Sequence, residues 1–136
     1  GLSPRVDPYL FAVDDEGWLD ALGPLVGDRR LALAEVGTGG YLGLLLGQAP
    51  FVALSEVRPA APDAVSLAAA VRQRAAADIA LAVIGHERGD DMQVEIGLDI
   101  EGWTEAVTRT AFRGGDSGRR RSANTAIAEL WRRLRD

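Results

Sequence analysis

The order of apolar and polar residues along the chain predicts a succession of strands and helices. The clearest pattern covers positions 92–100, where every second residue is apolar and the others are polar or glycine, as in a strand with one buried face. Positions 101–102 predict a tight hairpin turn, and positions 103–112 predict the returning strand. Positions 31–36 and 77–85 are apolar almost throughout, which is typical of buried, parallel strands.

The remaining segments predict helices and two shorter strands. Apolar residues at helical spacing predict a first helix that begins at Asp14 or Asp15, and a last helix that runs from the cap Asp116 to about position 135. An alanine-rich helix is capped by Ser66 or Asp63 and ends near position 76. The other predicted elements are a helix after position 40, strands at 9–13 and 51–56, and a polar loop at 86–91.

This order of elements predicts an α/β fold. The early alternation of strands and helices favours a parallel core with helices on both faces, and the hairpin adds antiparallel strands at one side. We therefore expect a three-layer α/β/α sandwich with a mixed, mostly parallel sheet of about five strands. Positions 9–136 are predicted to form one domain, and positions 1–8, with two prolines, the end of a linker or a remnant of cloning.

Composition and charge exclude several kinds of site and partner. The 136 residues include no cysteine, which excludes disulfides, thiolate metal ligands and a cysteine nucleophile. All 15 basic residues are arginine, so no lysine can serve as a base. The net charge of −5 argues against a nucleic-acid partner, and no apolar run reaches the ~18 residues of a membrane span. With no visible targeting segment, we expect a cytoplasmic protein without a membrane partner.

A glycine-rich turn after the first buried strand is the first candidate binding site. Helix N-termini offer anions unpaired backbone N–H groups and a favourable dipole. Thr38 is the predicted N-cap, and Gly37, Gly39 and Gly40 allow a sharp turn or the close approach of a ligand. Glu35 either orients such a ligand or pairs with an arginine. A tight turn that only packs well explains the same residues equally well.

The other residues with useful chemistry give weaker indications. Ligands bind at the carboxyl ends of strands in open α/β sheets, so the second candidate is the loop that begins at Gly85. His86 with Asp90 and Asp91 falls short of a specific ligand set, and neither a metal nor a cofactor is predicted. The arginines at 119–121 form either a solvated surface or a phosphate contact. The serines lie in predicted loops, caps or strand edges, and His86 is the only histidine, so the sequence shows no complete catalytic set and no catalytic residue is assigned.

Five segments follow one another in a recognisable order. Positions 34–40 read A-E-V-G-T-G-G, positions 64–66 read A-V-S, and positions 77–85 read A-D-I-A-L-A-V-I-G. The hairpin at 94–112 and a Gly-Asp helix start with Arg121 come next. This order resembles the C-terminal domain of competence/damage-inducible protein CinA, the nicotinamide-nucleotide amidase domain, over nearly the whole chain. That family carries A-E-S-C-T-G-G, G-A-V-S and A-D-I-A-L-A-V-T-G at the first three places.

The resemblance implies a fold, an activity and partners. Family members hydrolyse the carboxamide of nicotinamide mononucleotide to nicotinate mononucleotide and ammonia, and they are α/β/α sandwiches that are often homo-oligomers. Longer members carry an N-terminal molybdopterin-binding-like domain, joined by a segment similar to positions 9–15. The ligand-binding set that the pattern and the resemblance together predict here is Glu35, Gly37, Thr38, Gly39, Gly40, Gly85 and Arg121.

The catalytic segment of the family has no counterpart in this chain. The family uses a serine, assisted by a tyrosine and a lysine, on a segment resembling P-G-S-S…Y-S-N-x-x-K before the G-A-V-S helix. Here positions 51–57 contain neither tyrosine nor lysine, and the connection to the helix is shorter. The Ser-Cys of the first motif is replaced by Val36 and Gly37, and the threonine of the buried strand by Ile84.

Three hypotheses follow from these departures. The first is a degenerate CinA-type domain without amidase activity, kept as a structural, oligomerising or partner-binding module. The second is a domain that binds a nicotinamide nucleotide or another phosphate ligand through the turn at 37–40 and Arg121. The third is an amidase with relocated catalytic groups, such as Ser55 with His86, since catalytic triads are defined by geometry and not by sequence position.

Overall fold

The computed structural model describes residues 17–136. The predicted linker at 1–8, the strand at 9–13 and the helix caps Asp14 and Asp15 lie outside the described residues. The elements, in chain order, are α1 (Gly17–Val26), β1 (Leu31–Val36), α2 (Tyr41–Leu46), β2 (Val52–Val57), α3 (Ala64–Ala75), β3 (Ile79–Arg88), β4 (Asp91–Ile100), β5 (Trp103–Ala111) and α4 (Gly115–Arg135).

The five strands form one mixed sheet in the order β2-β1-β3-β4-β5. Strand β1 pairs in parallel with both β2 and β3, as two apolar strands joined by helical crossovers should. The β3–β4 and β4–β5 pairings are antiparallel. The α/β class and the five-stranded mixed sheet are confirmed, but "mostly parallel" is wrong, because only half of the pairings are parallel.

Helices cover both faces of the sheet, and the residues on the two faces differ in size. Helices α1, α2 and α4 pack against leucines, isoleucines and valines of the sheet. Among residues 17–136, α3 is the one helix that packs on the opposite face, which is built largely from alanines of β1 and β3. We call the first the leucine face and the second the alanine face. The expected three-layer sandwich is therefore present, with three helices on one side and one on the other.

The close approach of α3 to the sheet depends on Gly97 of β4. A Cβ atom at this position would overlap the carbonyl group of Ala64, the first residue of α3. The helix also begins beside Glu95, whose carboxylate accepts a hydrogen bond from the Ala64 N–H at 2.8 Å. The glycine in an otherwise alternating strand thus marks the place where a helix backbone meets the sheet.

Two local predictions need correction. Strand β3 continues to Arg88 and turns at Gly89 and Asp90 into β4, so the polar loop predicted at 86–91 is mostly strand. The residues after Gly85 are polar because α3 does not cover this end of the sheet, not because the strand has ended. The cap of α4 is Gly114, not Asp116, which lies in the first turn.

The N-cap of α3 is Asp63, one of the two residues that the sequence offered. Asp63 accepts a hydrogen bond from the Ser66 N–H at 2.7 Å and lies in the extended conformation typical of an N-cap. Its hydrogen bonds with Ser66, the backbone one first, lower the pKa of the Asp63 carboxyl below its usual value.

In the part of the chain from 17 to 136, none of the helices combines the length and the apolar character that a membrane span requires.

Candidate functional site

The carboxylate of Glu35 is the centre of the predicted site, and it is bonded to the chain's own groups. Glu35 lies near the end of β1 with its side chain turned to the leucine face, and only 1% of it is exposed. Its Oε1 accepts hydrogen bonds from the Thr38 hydroxyl at 2.6 Å and the Leu42 N–H at 3.0 Å. Its Oε2 accepts one from the Gly43 N–H at 2.8 Å. The sequence analysis offered a ligand or an arginine as partners of this carboxylate, and the protein groups bonded to it are a hydroxyl and two backbone amides, not an arginine.

These hydrogen bonds change how the glycine-rich turn is understood. The amides of Leu42 and Gly43 are the donors that a short helix leaves unpaired at its N-terminus, and Glu35 satisfies them from the preceding strand. Thr38 is fully buried, and its hydroxyl donates to Glu35. Its prediction as N-cap is wrong, because the cap is Gly40 with φ at 81°.

Gly37 and Gly85 lie against each other at the carboxyl ends of β1 and β3. A Cβ atom on Gly37 would overlap the carbonyl oxygen of Gly85, and Gly37 also has a positive φ of 71°. The sequence singled out both glycines as candidates for contact with a ligand. In the structure their backbones contact each other, which closes the space between the two strand ends.

Residues of α2 and α4 form a polar cluster on the outer side of the turn, which we call the Tyr41 cluster. The Tyr41 hydroxyl donates to Asp116 at 2.6 Å, and the Arg120 guanidinium lies 5.6 Å from the centre of the tyrosine ring. The Arg119 guanidinium lies 3.6 Å from Asp116 and packs beside Gly39, where a Cβ atom would be 3.2 Å from its Nε. The hydrogen bond to Asp116 raises the pKa of Tyr41 above its usual value, against an opposing effect of Arg119.

Arg119, and not Arg121, is the arginine that meets the glycine-rich turn. Arg121 is exposed on α4, where its carbonyl accepts a hydrogen bond from the Thr125 hydroxyl. The sequence did contain a signal for this difference. The buried residues Ala123, Ala126 and Leu130 follow Arg119 by four, seven and eleven positions, so Arg119 lies on the buried side of the helix and Arg121 turns away.

Ser55 and His86, the pair considered for relocated catalysis, lie on opposite faces of the sheet. The Ser55 hydroxyl faces α2 on the leucine face, 3.0 Å from where a Cβ atom of Gly43 would be. His86 lies on the alanine face, where its Nε2 is 3.9 Å from the Glu95 carboxylate that contacts the start of α3. The structure therefore does not bring this serine and this histidine together.

The described residues contain no other arrangement with obvious reactivity. No group of three or more histidine or acidic side chains within 17–136 could hold a metal ion. A shallow depression of about 290 Å³ opens where β3, β4 and β5 lie side by side, and it is lined by Arg88, Asp91, Met92, Gln93 and Thr110. It lies on the hairpin side of the sheet and has no contact with the glycine-rich turn.

The fold can now be compared with known structures. A competence or damage-inducible protein from Enterobacter asburiae matches with a TM-score of 0.67 and 23% identity, over 88% of this chain and 98% of that one. A CinA superfamily protein from Klebsiella pneumoniae 700603 matches with a TM-score of 0.70 and 20% identity, over 90% and 98%. The chain has a CinA-like fold. The competence/damage-inducible protein CihA from Agrobacterium tumefaciens matches with a TM-score of 0.61 and 17% identity, over 95% and 94%.

The resemblance that the sequence motifs indicated is thus confirmed for the CinA-like fold. No family model matches the sequence, and no curated protein matches it either. At these levels of identity the backbone has been retained while most side chains differ. Strand β1, the glycine-rich turn and β3, which carry two of the motifs, are adjacent in the CinA-like core.

Proposed function

We propose that this CinA-like domain lacks nicotinamide-nucleotide amidase activity and serves as a structural and oligomerising module. The observation that carries the proposal is the separation of Ser55 from His86 by the sheet. Of the other serines, Ser66 donates to the helix cap Asp63, and the buried Ser122 donates to the Gly118 carbonyl. Amide hydrolysis by a serine needs a general base within hydrogen-bond reach of the nucleophile.

The hydrogen bonds of Glu35 support the same proposal. The carboxylate occupies the two helix amides that could have held a phosphate, and the buried Thr38 hydroxyl is bonded to it. An anion at this position would have to displace an internal carboxylate, and it would meet that charge in a buried, low-dielectric environment. Glu35 and Thr38, which this chain shares with the family motif, therefore stabilise the fold by bonding to each other and to the start of α2.

The proposal is tested by measuring ammonia release from nicotinamide mononucleotide by the purified chain, beside an intact CinA amidase as a positive control. We expect no turnover above the uncatalysed background. Removal of the nucleophile and the base of a hydrolase lowers the rate by several powers of ten. Turnover that is lost in the Ser55→Ala variant, with the Ser66→Ala variant as a matched control, would overturn the proposal.

Phosphate binding at the Tyr41 cluster is a second candidate function, because the Arg119 guanidinium packs beside Gly39 there and the Arg120 guanidinium lies over the Tyr41 ring. Arg119 and Arg120 could both reach an anion at the outer side of the turn, although Asp116 between them opposes it. Calorimetric titration with nicotinamide mononucleotide and with inorganic phosphate tests this function. Heat of binding that disappears in Arg119→Ala, but persists in the exposed Arg121→Ala, would support it.

A further inference from the structure

Strand β5 is a long edge strand that has neither a bulge nor a proline to interrupt it. It is nine residues long, contains no proline, and pairs with β4 in an unbroken register. Among residues 17–136, no strand lies on its outer side. The opposite edge, β2, is six residues long and has a register shift at Ala53. Because monomeric proteins interrupt or shorten their edge strands to prevent association, β5 is the edge suited to a partner.

The backbone groups that β5 offers to a partner follow from the hairpin. A two-residue turn, with φ of 54° at Glu101 and 95° at Gly102, joins Ile100 to Trp103. In such a hairpin the residues next to the turn exchange hydrogen bonds, and every second residue does so thereafter. The residues whose N–H and C=O groups point outward are therefore the even-numbered ones, Thr104, Ala106, Thr108 and Thr110.

We propose that two copies of the chain join their β5 strands antiparallel about a two-fold axis at Val107, which makes one continuous ten-stranded sheet. This inference rests on the proposed oligomerising function. In this register Thr104 lies opposite Thr110 of the second copy, and Ala106 lies opposite Thr108. All of these residues have outward-pointing backbone groups, so the edge is satisfied along its length. The helices on the leucine face of both copies then lie on the same side of the sheet.

The charges of β5 favour this register. Glu105 and Arg109 lie two residues on either side of Val107, so each stands opposite the other across the axis. Within one copy, Glu105 already pairs with Arg133 and Arg109 with Glu129, both of α4. The dimer would extend these pairs into an alternating row across both copies. Opposite charges in directly facing positions stabilise antiparallel pairs, whereas an axis at Glu105 or at Arg109 would bring like charges together.

Exposed aromatic residues at the two ends of β5 support a partner along the same edge. Trp103 begins the strand and is 51% exposed, and Phe112 directly follows it and is 67% exposed. In the proposed register Trp103 lies opposite Ala111 of the second copy, next to that copy's Phe112. Large aromatic residues are enriched where protein interfaces are buried. Pairing of β5 would cover both residues at each end of the interface.

Sedimentation equilibrium of the full chain tests the association. We expect twice the mass of one chain for the wild type. Thr108→Pro removes an N–H group that points outward and leaves the bonds to β4 in place, so it should shift the dissociation constant at least tenfold. Ala53→Pro, at the unpaired position of β2, is the matched control and should remain dimeric. A wild type with the mass of one chain up to millimolar concentration would overturn the inference.

Single cysteines test the register, since the chain has none of its own. Two copies of residue 107 would meet on the axis with Cα atoms about 4.5 Å apart, within the range of a disulfide. Val107→Cys should therefore form a covalent dimer on mild oxidation. Thr104→Cys should not, because its copies would be about 20 Å apart.

Equal cross-linking of the two cysteine variants, or none in either, would overturn the register even if the chain is dimeric. The ammonia assay separates this inference from the proposed function. A chain that neither turns over substrate nor associates overturns the β5 inference and the oligomerising part of the proposed function, and it leaves the absence of amidase activity standing. Turnover of nicotinamide mononucleotide would overturn the proposal that the domain lacks amidase activity, whether or not the chain forms a dimer.

Discussion

Replacement of Glu35 by glutamine should destabilise the fold far more than its conservative chemistry suggests. The substitution keeps the size of the side chain but removes its charge and turns one acceptor oxygen into an NH₂ donor. That donor would face either the Gly43 N–H or the pair formed by Thr38 and the Leu42 N–H. Hydrogen bonds to a charged group contribute about 1.5–3 kcal/mol, and a buried donor without a partner costs about 1–3 kcal/mol.

Because those two costs overlap, we expect Glu35→Gln to lower the free energy of unfolding by about 2–4 kcal/mol. Urea denaturation followed by circular dichroism measures the change, with the slope of the transition unchanged. Thr38→Val removes the hydroxyl donor at constant shape and should cost about 1–2 kcal/mol. In a double-mutant cycle the two substitutions should be strongly non-additive, because Thr38 contacts the carboxylate directly.

Glu56→Gln is the matched control for the loss of a carboxylate. Glu56 lies on β2 and pairs at the surface with Arg74 and, at 4.0 Å, with Arg58. Exposed ion pairs contribute about 0–1 kcal/mol, so this variant should unfold close to the wild type. If Glu35→Gln were no more destabilising than Glu56→Gln, the charge of Glu35 would not be what stabilises the first amides of α2. The amides of Leu42 and Gly43 would then be open to an anion after all.

Two further predictions concern α3. Gly97→Ala should lower the free energy of unfolding by about 3 kcal/mol, because its methyl group meets backbone atoms of Ala64 that cannot move without shifting the helix. Chemical denaturation measures this change. An unchanged free energy of unfolding would contradict the close packing of α3 on Gly97. Asp63→Ala should lower the melting temperature at neutral pH. Since the folded-state pKa of Asp63 lies below its usual value of 3.8, its stabilisation is complete above that pH and is lost as the pH falls through the lowered pKa. The difference in melting temperature from the wild type should therefore narrow in acid, and a constant difference would refute the role of the charge.

The parts of the fold that the sequence predicts are those in which side-chain pattern and burial coincide. The alternation at 92–100 identifies β4, because one side of that strand belongs to the buried leucine face and the other side is largely polar. The apolar runs identify β1 and β3 for the same reason. The end of β3 was missed because its last residues extend past α3, where polar side chains are compatible with a strand.

The function of Glu35 could not be predicted from the sequence, because its partners include two backbone amides, which leave no trace in the residue pattern. A lone carboxylate before a glycine turn has the same appearance whether it binds a ligand or caps a helix. Likewise, Asp116 resembles an N-cap in sequence, yet Gly114 is the cap and Asp116 is bonded to Tyr41, 75 positions away in the chain. Contacts between distant segments decide such cases.

The alanine face limits how the sequence can diverge. Ala32 of β1 lies directly beside Ala80 of β3, and Ala34 beside Ala82, so a patch of four methyl groups forms the floor under α3. A larger residue at any of the four would have to be offset by a smaller one on its neighbours or on the helix, because interiors are close-packed. Substitutions on the alanine face should therefore occur in pairs, in which a larger residue at one position is offset by a smaller residue at a neighbouring one. On the leucine face, an exchange of leucine for isoleucine conserves volume and costs less than about 1.5 kcal/mol, so that side of the sheet tolerates single exchanges that the alanine face does not.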